Sequence, residues 1–276
     1  MNSATLTNDH DDLGQLLAEA GDPATTEQRL RDLLSLNHPE VTVAVAQNTV
    51  LAPEELAELS QHPNLQVRLA VAGNPSSHGT ILEQLADDST EEVRARVAAS
   101  ENATPSTLLR LAEDPAEQVR QKVTENEQSS IEVLKRLAQD EDPAILVGLA
   151  KHPQATSDLL AGLSESKSLL VKTAVAKNVR TPVAGLLVIA KEIDRGTATE
   201  TFELRSALAN NPNSPNLILL KCPNRNDPPE QQEKIAIQLS RHFNSPDELL
   251  DGLAGYNSLA IQENIVNHPA DRKSVV

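Results

Sequence analysis

Apolar residues recur along the chain in pairs, and the spacing within a pair alternates between four residues and three. Val67 and Val71 stand four residues apart, whereas Leu82 and Leu85, in the segment that follows, stand three apart. Both spacings place the two residues on the same face of a helix. No segment sustains the alternation of apolar and polar residues that a half-buried strand would show. The pattern therefore predicts an all-α chain of short paired helices.

The first kind of segment belongs to an eight-residue phrase that recurs at a fixed interval. Its positions are apolar, basic, variable, small, apolar, Ala, variable and Asn. Six copies start 26 residues apart, at Val41, Val67, Val93, Val119, Ile145 and Val171. Three further copies start at Leu204, Ile235 and Ile261. A fixed interval of this length is typical of repeat proteins, in which each unit stacks on its neighbours.

The spacing of the copies divides the chain into three regions. Residues 1–36 hold an N-terminal tail and a degenerate copy, which we interpret as a capping repeat. Residues 37–190 hold six regular repeats, and residues 191–276 hold three less regular ones with insertions near 191–201 and 222–230. Because helices of only about ten residues are not stable alone, neighbouring repeats must supply a shared core.

The repeat is similar to that of the leucine-rich repeat variant family of bacteria. The family phrase LAxDPxxxVRxxVAxNPxTPxxxLxxLA resembles LADDSTEEVRARVAASENATPSTLLRLAEDP, from Leu85 to Pro115, and the likeness extends from Thr25 to about Pro269. The resemblance implies a right-handed superhelical solenoid of short α- and 3₁₀-helices. Some members carry an iron–sulfur cluster on N-terminal cysteines, which residues 1–36 lack. The portion DPxxxVRxxVA also resembles HEAT repeats, so a HEAT-like solenoid is the alternative.

The composition narrows the class of partner. The chain has 40 acidic and 24 basic residues and a net charge of −16, and such a chain is repelled by phosphate backbones unless its bases gather on one face. Only 1% of its residues are aromatic, which leaves few rings to stack on bases. The apolar stretches near 184–190 and 217–220 are far shorter than the roughly 18 residues of a membrane span. We therefore expect a protein partner rather than nucleic acid, and no membrane insertion.

Residues that could carry chemistry are sparse. The single cysteine, Cys222, cannot form an intramolecular disulfide, and the first 30 residues lack the basic start and apolar run of a signal peptide, so a cytoplasmic location is expected. There is no glycine-rich phosphate loop, GxSxG, HExxH or CxxC motif. We therefore expect no enzymatic activity, no cofactor and no metal, and an ordinary thiol at Cys222.

Asparagine and histidine recur at the ends of the first helices. At one register position the chain carries Asn48, Asn74, Asn126, Asn178 and Asn211. Stacked in successive repeats, these side chains are expected to form a ladder that bonds exposed backbone groups. His62, His152, His242 and His268 occupy helix-terminal positions where other repeats have Asn or Asp. Cap or turn roles therefore explain these histidines better than metal binding.

Position two of the phrase carries the most informative polar residues. The bases there are Arg68, Arg94, Arg120, Lys172 and Arg205. In a solenoid they would line up as a stripe, which has two interpretations. The stripe is a structural ladder of ion pairs with acids such as Asp88, Asp114 and Asp140, or it is an open surface that binds an acidic partner. The ladder is favoured because acids also recur at a fixed register, about six residues before each base.

Three functions follow from these observations. A non-enzymatic protein-binding scaffold or adaptor explains the repeats and the lack of catalytic motifs. A nucleic-acid-binding HEAT-like protein would need a basic groove with aromatic residues, and the chain offers only Phe202, Phe243 and Tyr256. An enzyme would have to build its site in the two insertions. The scaffold is the function that the sequence predicts.

Overall fold

The computed structural model describes residues 9–269, which form nineteen α-helices and no β-strand. The first helices of the repeats are α1 (Asp9–Gly21), α3 (Pro39–Gln47), α5 (Leu65–Gly73), α7 (Glu91–Ala98), α9 (Glu117–Glu125), α11 (Pro143–Lys151), α13 (Leu169–Lys177), α15 (Ala198–Asn210), α17 (Pro229–Arg241) and α19 (Leu259–Val266). The second helices are α2 (Glu27–Ser35), α4 (Pro53–Leu59), α6 (Thr80–Leu85), α8 (Pro105–Leu111), α10 (Ile131–Leu137), α12 (Ser157–Leu163), α14 (Val183–Ala190), α16 (Asn216–Leu219) and α18 (Asp247–Leu253). The all-α, repeat-like fold predicted from the sequence is confirmed.

Most first helices end where a polar residue leaves the helical conformation. Asn74 caps α5 with extended backbone angles, and its N–H donates to the carbonyl of Val71. Pro75 follows it, and a proline disfavours the α conformation in the residue before it. Asn126 caps α9 and His152 caps α11 in the same extended conformation. The sequence phrase therefore predicts the apolar face of the first helices and the end of those that close on Asn or His, whereas α7 ends at Ala99 in a helical conformation.

The second helices are short because they start and stop at local signals. Thr104 caps α8 by accepting a hydrogen bond from the N–H of Thr107, and Pro105 occupies the first turn. The bond that closes this helix runs four residues back, from the N–H of the C-cap residue Ala112 to the carbonyl of Leu108 at 2.9 Å. Among residues 9–269 every second helix is α-helical, so the 3₁₀-helices implied by the family resemblance are not found there.

Contacts between backbones separate two compact units, one up to Leu137 and the other from Ala138 onward. In the first unit, α1, α3, α5, α7 and α9 stack in series, each on the one before. The second helices pack beside them and complete a core of leucine and valine. Val67, Val71 and Leu82 are fully buried in that core. These apolar pairs supply the burial that no single helix of this length could provide.

The second unit repeats the arrangement with longer first helices. Here α11, α13, α15, α17 and α19 stack in series, and α14 packs against both α12 and α16. The helices α15 and α17 each have 13 residues, against nine in α13. Their additional turns follow the two stretches that the sequence marks as insertions. No helix within residues 9–269 is long and apolar enough to cross a membrane.

Candidate functional site

The bases at position two lie between consecutive repeats, and Arg68 shows their geometry. Its Nε donates to Oδ2 of Asp88 at 2.6 Å, and its Nη2 donates to Oδ1 at 3.2 Å. Its Nη1 donates to the backbone carbonyl of His62 at 3.0 Å. The side chains of Arg68 and Asp88 are only 15% and 7% exposed. The guanidinium of Arg68 thus connects the turn at His62, before its own helix, to the turn at Asp88 in the next repeat.

Arg94 repeats this geometry one repeat later. Its Nε and Nη2 donate to the two carboxylate oxygens of Asp114, at 2.7 and 3.0 Å, and its Nη1 donates to the carbonyl of Asp88 at 2.8 Å. Burial alone would raise the pKa of Asp88 and Asp114, but the hydrogen bonds from Arg68 and Arg94 hold each pKa below its ordinary value. Both carboxylates are therefore stabilised in the ionised form by arginines of the preceding repeat.

The other three bases at position two also contact the chain itself. Arg120 donates from Nη1 to the backbone carbonyls of Asp114 and Pro115, at 2.9 and 3.2 Å. Lys172 pairs with Glu192 at 2.7 Å, and this hydrogen bond lowers the pKa of Glu192.

Arg205 is fully buried. Its two terminal nitrogens each donate to one oxygen of Asp227 at 2.6 Å, and Nη1 and Nη2 also donate to the carbonyls of Cys222 and Ala198. Arg68, Arg94, Lys172 and Arg205 thus form ion pairs within the chain, and Arg120 is bonded to the chain as well. Partner binding by the five bases stays a prediction.

The asparagine ladder predicted from the sequence is confirmed. Asn74 donates from Nδ2 to the carbonyls of Ala46 and Asn48, at 2.8 and 2.9 Å, and its Oδ1 accepts from the N–H of Ser76. Bonds of the same kind from Nδ2 to a carbonyl of the preceding repeat are made by Asn48, Asn126, Asn178 and Asn211. Each side chain satisfies backbone groups that the helix ends leave open.

The histidines have the backbone-bonding roles that the sequence favoured. His242 and His268 stand at the asparagine position, and their Nε2 atoms bond the carbonyls of Asn211 and His242, at 2.7 and 2.8 Å. Nδ1 of His152, at the same position, accepts from the N–H two residues on, as does Nδ1 of His62. In residues 9–269 no group of three His, Cys, Asp or Glu side chains is arranged to hold a metal ion.

Cys222 lies in the second insertion and is buried. Its Sγ donates to the carbonyl of Ile218 at 3.4 Å. Burial raises the pKa of this thiol to about 12, so the thiolate that acts as a nucleophile is scarce at neutral pH. The same insertion supplies Asp227, the partner of Arg205. Cys222 therefore bonds within its own repeat, whereas Asp227 joins the insertion to α15.

The series of bases is interrupted at α11, where position two is Leu146, and again at α17. Position two there is Ala236, and Tyr256 stands twenty residues later, where Asp88 stands relative to Arg68. A cavity of about 380 Å³ lies beside α17. Its apolar lining is formed by Leu220, Ile235, Ala236, Leu239, Leu249, Leu253 and Tyr256. We call it the Tyr256 cavity.

Gln232 makes backbone hydrogen bonds of the kind that the position-two arginines make in other repeats. Its Nε2 donates to the carbonyls of Asp227 and Arg225, at 2.7 and 3.2 Å, just as Arg94 donates to the carbonyl of Asp88. These carbonyls are therefore bonded without a ligand, and the space beyond Gln232 is mostly apolar. A cavity of this size and lining suits an apolar group.

Apolar side chains are exposed on α14 and at α16. The exposed fractions are 44% for Val183, 39% for Leu187, 62% for Leu217 and 45% for Leu220. We call these four residues the apolar face. Sequence analysis did not identify it, although the segments VAGLLVIA and NLIL contain no charged residue, which was the available signal. The spacing of residues carries no comparable signal for the Tyr256 cavity.

Comparison with known proteins does not assign the chain to a family. No protein-family model matches the chain, and no curated protein matches it significantly in sequence.

Proposed function

We propose that this chain is a non-enzymatic protein-binding scaffold that binds a partner through the second unit. The exposed apolar face on α14 and at α16 carries the proposal. Contiguous exposed apolar surface is unfavourable in water and commonly marks a protein-binding site. Val183 and Leu187 belong to α14, Leu217 belongs to α16 and Leu220 follows it, and the two helices pack on each other.

The chemistry of the chain supports a protein partner over a nucleic acid. Binding to single strands needs rings on which bases can stack, together with a basic groove. Phe202 is only 8% exposed and Tyr256 is partly buried, so Phe243, at 74%, is the one largely exposed ring in the described part of the chain. Arg68, Arg94 and other position-two bases already bond acids of the chain. These features do not assemble a phosphate-binding surface.

The serial stacking of first helices within each unit supports a right-handed superhelical solenoid as the architecture of the scaffold. We propose that the chain is related to the bacterial leucine-rich repeat variant proteins, on the strength of the repeat phrase and the paired short helices. A cytoplasmic location agrees with the single free cysteine, because disulfides are common in oxidising compartments.

The proposal is tested by comparing the proteins that two variants retain from a lysate of the source organism. Leu217→Glu places a charge on the apolar face, whereas Gly162→Leu changes an exposed glycine of α12 around which a new Cβ meets no atom within 4 Å. We expect a defined set of proteins to be retained by the native chain and by Gly162→Leu, and lost with Leu217→Glu. Equal retention by all three, or retention of nucleic acid alone, would contradict the proposal.

A further inference from the structure

Two register positions of α14, those of Ala184 and Leu187, are charged in some second helices and apolar in others, as with Leu109 of α8 at the position of Leu187. In α10 the register positions of Ala184 and Leu187 are held by Glu132 and Lys135. In α18 they are held by Glu248 and Asp251, and in α16 by Leu217 and Leu220. Every other second helix within residues 9–269 contains at least one charged residue, whereas α14 and α16 contain none. The loss of charge is therefore local to two adjacent repeats.

The apolar face continues into the Tyr256 cavity. Leu220 belongs to both, since it lines the cavity and is also 45% exposed. Beyond it the cavity is bounded by Leu249 and Leu253 of α18 and by Tyr256. An exposed strip that ends in a cavity fits an elongated ligand better than a small one, because a small molecule could fill the cavity but not cover Leu217 and Leu187.

The stretch that holds the apolar face carries charge opposite to that of the whole chain, whereas the Tyr256 cavity carries both signs, because Arg225 and Glu248 both line it. Residues 166–226 contain nine bases and four acids, within a chain whose net charge is −16. Arg225 lines the Tyr256 cavity, is exposed, and forms no ion pair with any described residue. Lys191, at the end of α14, is exposed as well. A ligand with acidic groups beside its apolar ones would meet complementary charge here.

We propose that the apolar face and the Tyr256 cavity bind an extended segment of a partner protein that carries apolar side chains flanked by Asp or Glu. A large apolar side chain enters the cavity, further apolar side chains cover Leu217 and Leu187, and the acids face Arg225 and Lys191. Packed helices lie about 10 Å apart, which three residues of an extended chain span. The segment therefore carries its apolar residues about three positions apart. This inference rests on the scaffold function proposed above.

A second copy of the chain is a poorer occupant. The exposed parts of the apolar face offer on the order of 300 Å², whereas each partner in a stable dimer buries about 800 Å². A single extended segment needs far less area than a folded subunit. Pairing of the apolar faces of two copies is also unsuitable in charge, because both faces lie in the same basic stretch and would bring like charges together.

The test uses peptides of about twelve residues, long enough at 3.3 Å per residue to cross the apolar face and reach the cavity. Peptides are selected from a random display library on the full chain, and their dissociation constants are then measured by fluorescence anisotropy. Gly252 lines the cavity on α18, and a new Cβ there meets no atom within 4 Å. Gly252→Leu therefore fills the cavity, and leucine favours a helix more than glycine does. Gly162→Leu, at the equivalent position of α12, is the matched control.

We expect the selected peptides to be acidic and apolar, and their affinity to fall roughly tenfold or more in Gly252→Leu, as expected for excluding one large apolar side chain. Gly162→Leu should bind as the native chain does. Unchanged affinity in Gly252→Leu, enrichment of basic peptides, or competition by an RNA oligonucleotide would overturn the inference. Dimerisation in sedimentation velocity that Leu217→Glu abolishes would assign the face to a second copy instead.

The two proposals fail in different ways. If peptides bind outside the cavity while the lysate proteins are still lost with Leu217→Glu, the scaffold function stands and the partner chemistry is wrong. If no lysate protein depends on Leu217, the scaffold function fails whatever the peptides do.

Discussion

Arg94→Gln removes one rung of the ion-pair ladder, and its cost can be worked out from the structure. The guanidinium donates three hydrogen bonds, two to Asp114 and one to the carbonyl of Asp88. The side chains of Arg94 and Asp114 are 14% and 5% exposed, so water cannot fully replace the lost partner. Removing one member of a buried ion pair costs about 3–5 kcal/mol, and the partial exposure here reduces this to about 2–3 kcal/mol.

Arg110→Gln is the control, because it breaks an ion pair that lies on the surface. Arg110 pairs with Asp87 at 2.9 Å, and the two side chains are 47% and 68% exposed. Exposed pairs of this kind contribute less than about 1 kcal/mol. Urea unfolding followed by far-ultraviolet circular dichroism should therefore show a clear loss of stability for Arg94→Gln and little for Arg110→Gln.

A double-mutant cycle isolates the pair itself. Asp114→Asn alone and Arg94→Gln alone should each destabilise the chain, and the double variant should cost about 1–2 kcal/mol less than the two combined. Equal effects of Arg94→Gln and Arg110→Gln, or full additivity in the cycle, would refute the structural role. Unchanged stability together with lost partner binding would instead place the binding surface on these arginines.

Three further predictions concern the rest of the chain. Asn74→Ala should lower the free energy of unfolding by about 2–3 kcal/mol, and Asn74→His should recover part of it in thermal unfolding, because His242 makes the equivalent bond. The pKa values of Asp88 and Asp114 lie below the ordinary 3.8, so their pairs should stabilise the chain fully above about pH 4 and lose this contribution as the pH falls through the folded-state pKa values, which acid titration of stability would measure. Cys222, whose pKa is raised to about 12, should resist iodoacetamide at pH 8 in the folded chain and react once urea unfolds it, as mass spectrometry would show.

Much of the fold could be predicted because the determinants are local and repeated. The spacing of Val67 and Val71, and of Leu82 and Leu85, fixes which face of each helix is buried. Asn74 could be assigned to a ladder because the same residue recurs at the same register. The 3₁₀ conformation was inferred from the family resemblance alone, and the second helices of the described chain do not adopt it.

The partner of each arginine could not be read from register alone. Asp88 stands six residues before Arg94 and twenty after Arg68, so a 26-residue repeat offers both pairings. The structure divides the two roles, since the carboxylate of Asp88 bonds Arg68 and its backbone carbonyl bonds Arg94. Only the three-dimensional stacking of the repeats makes this distinction.

The apolar face and the Tyr256 cavity could not be predicted from the spacing of apolar residues. A leucine three or four residues from another leucine predicts burial, yet Leu217 is 62% exposed because no further element covers α16. Ala236 predicts a small buried residue, and the sequence pattern does not show that it lines a cavity. An exposed surface and a cavity both depend on where no neighbouring side chain packs, which the spacing of residues in the sequence does not predict.

Photo-crosslinking in cells of the source organism tests the central claim most directly. A benzophenone amino acid at position 217 would report what touches the apolar face, and one at position 132, the equivalent position of α10, would report background contacts with an exposed helix. We predict a recurring protein adduct at position 217 that is absent at position 132 and reduced when Gly252 is changed to Leu. Equal adducts at both positions, adducts with nucleic acid, or no protein adduct at position 217 would contradict a protein-binding role for this surface.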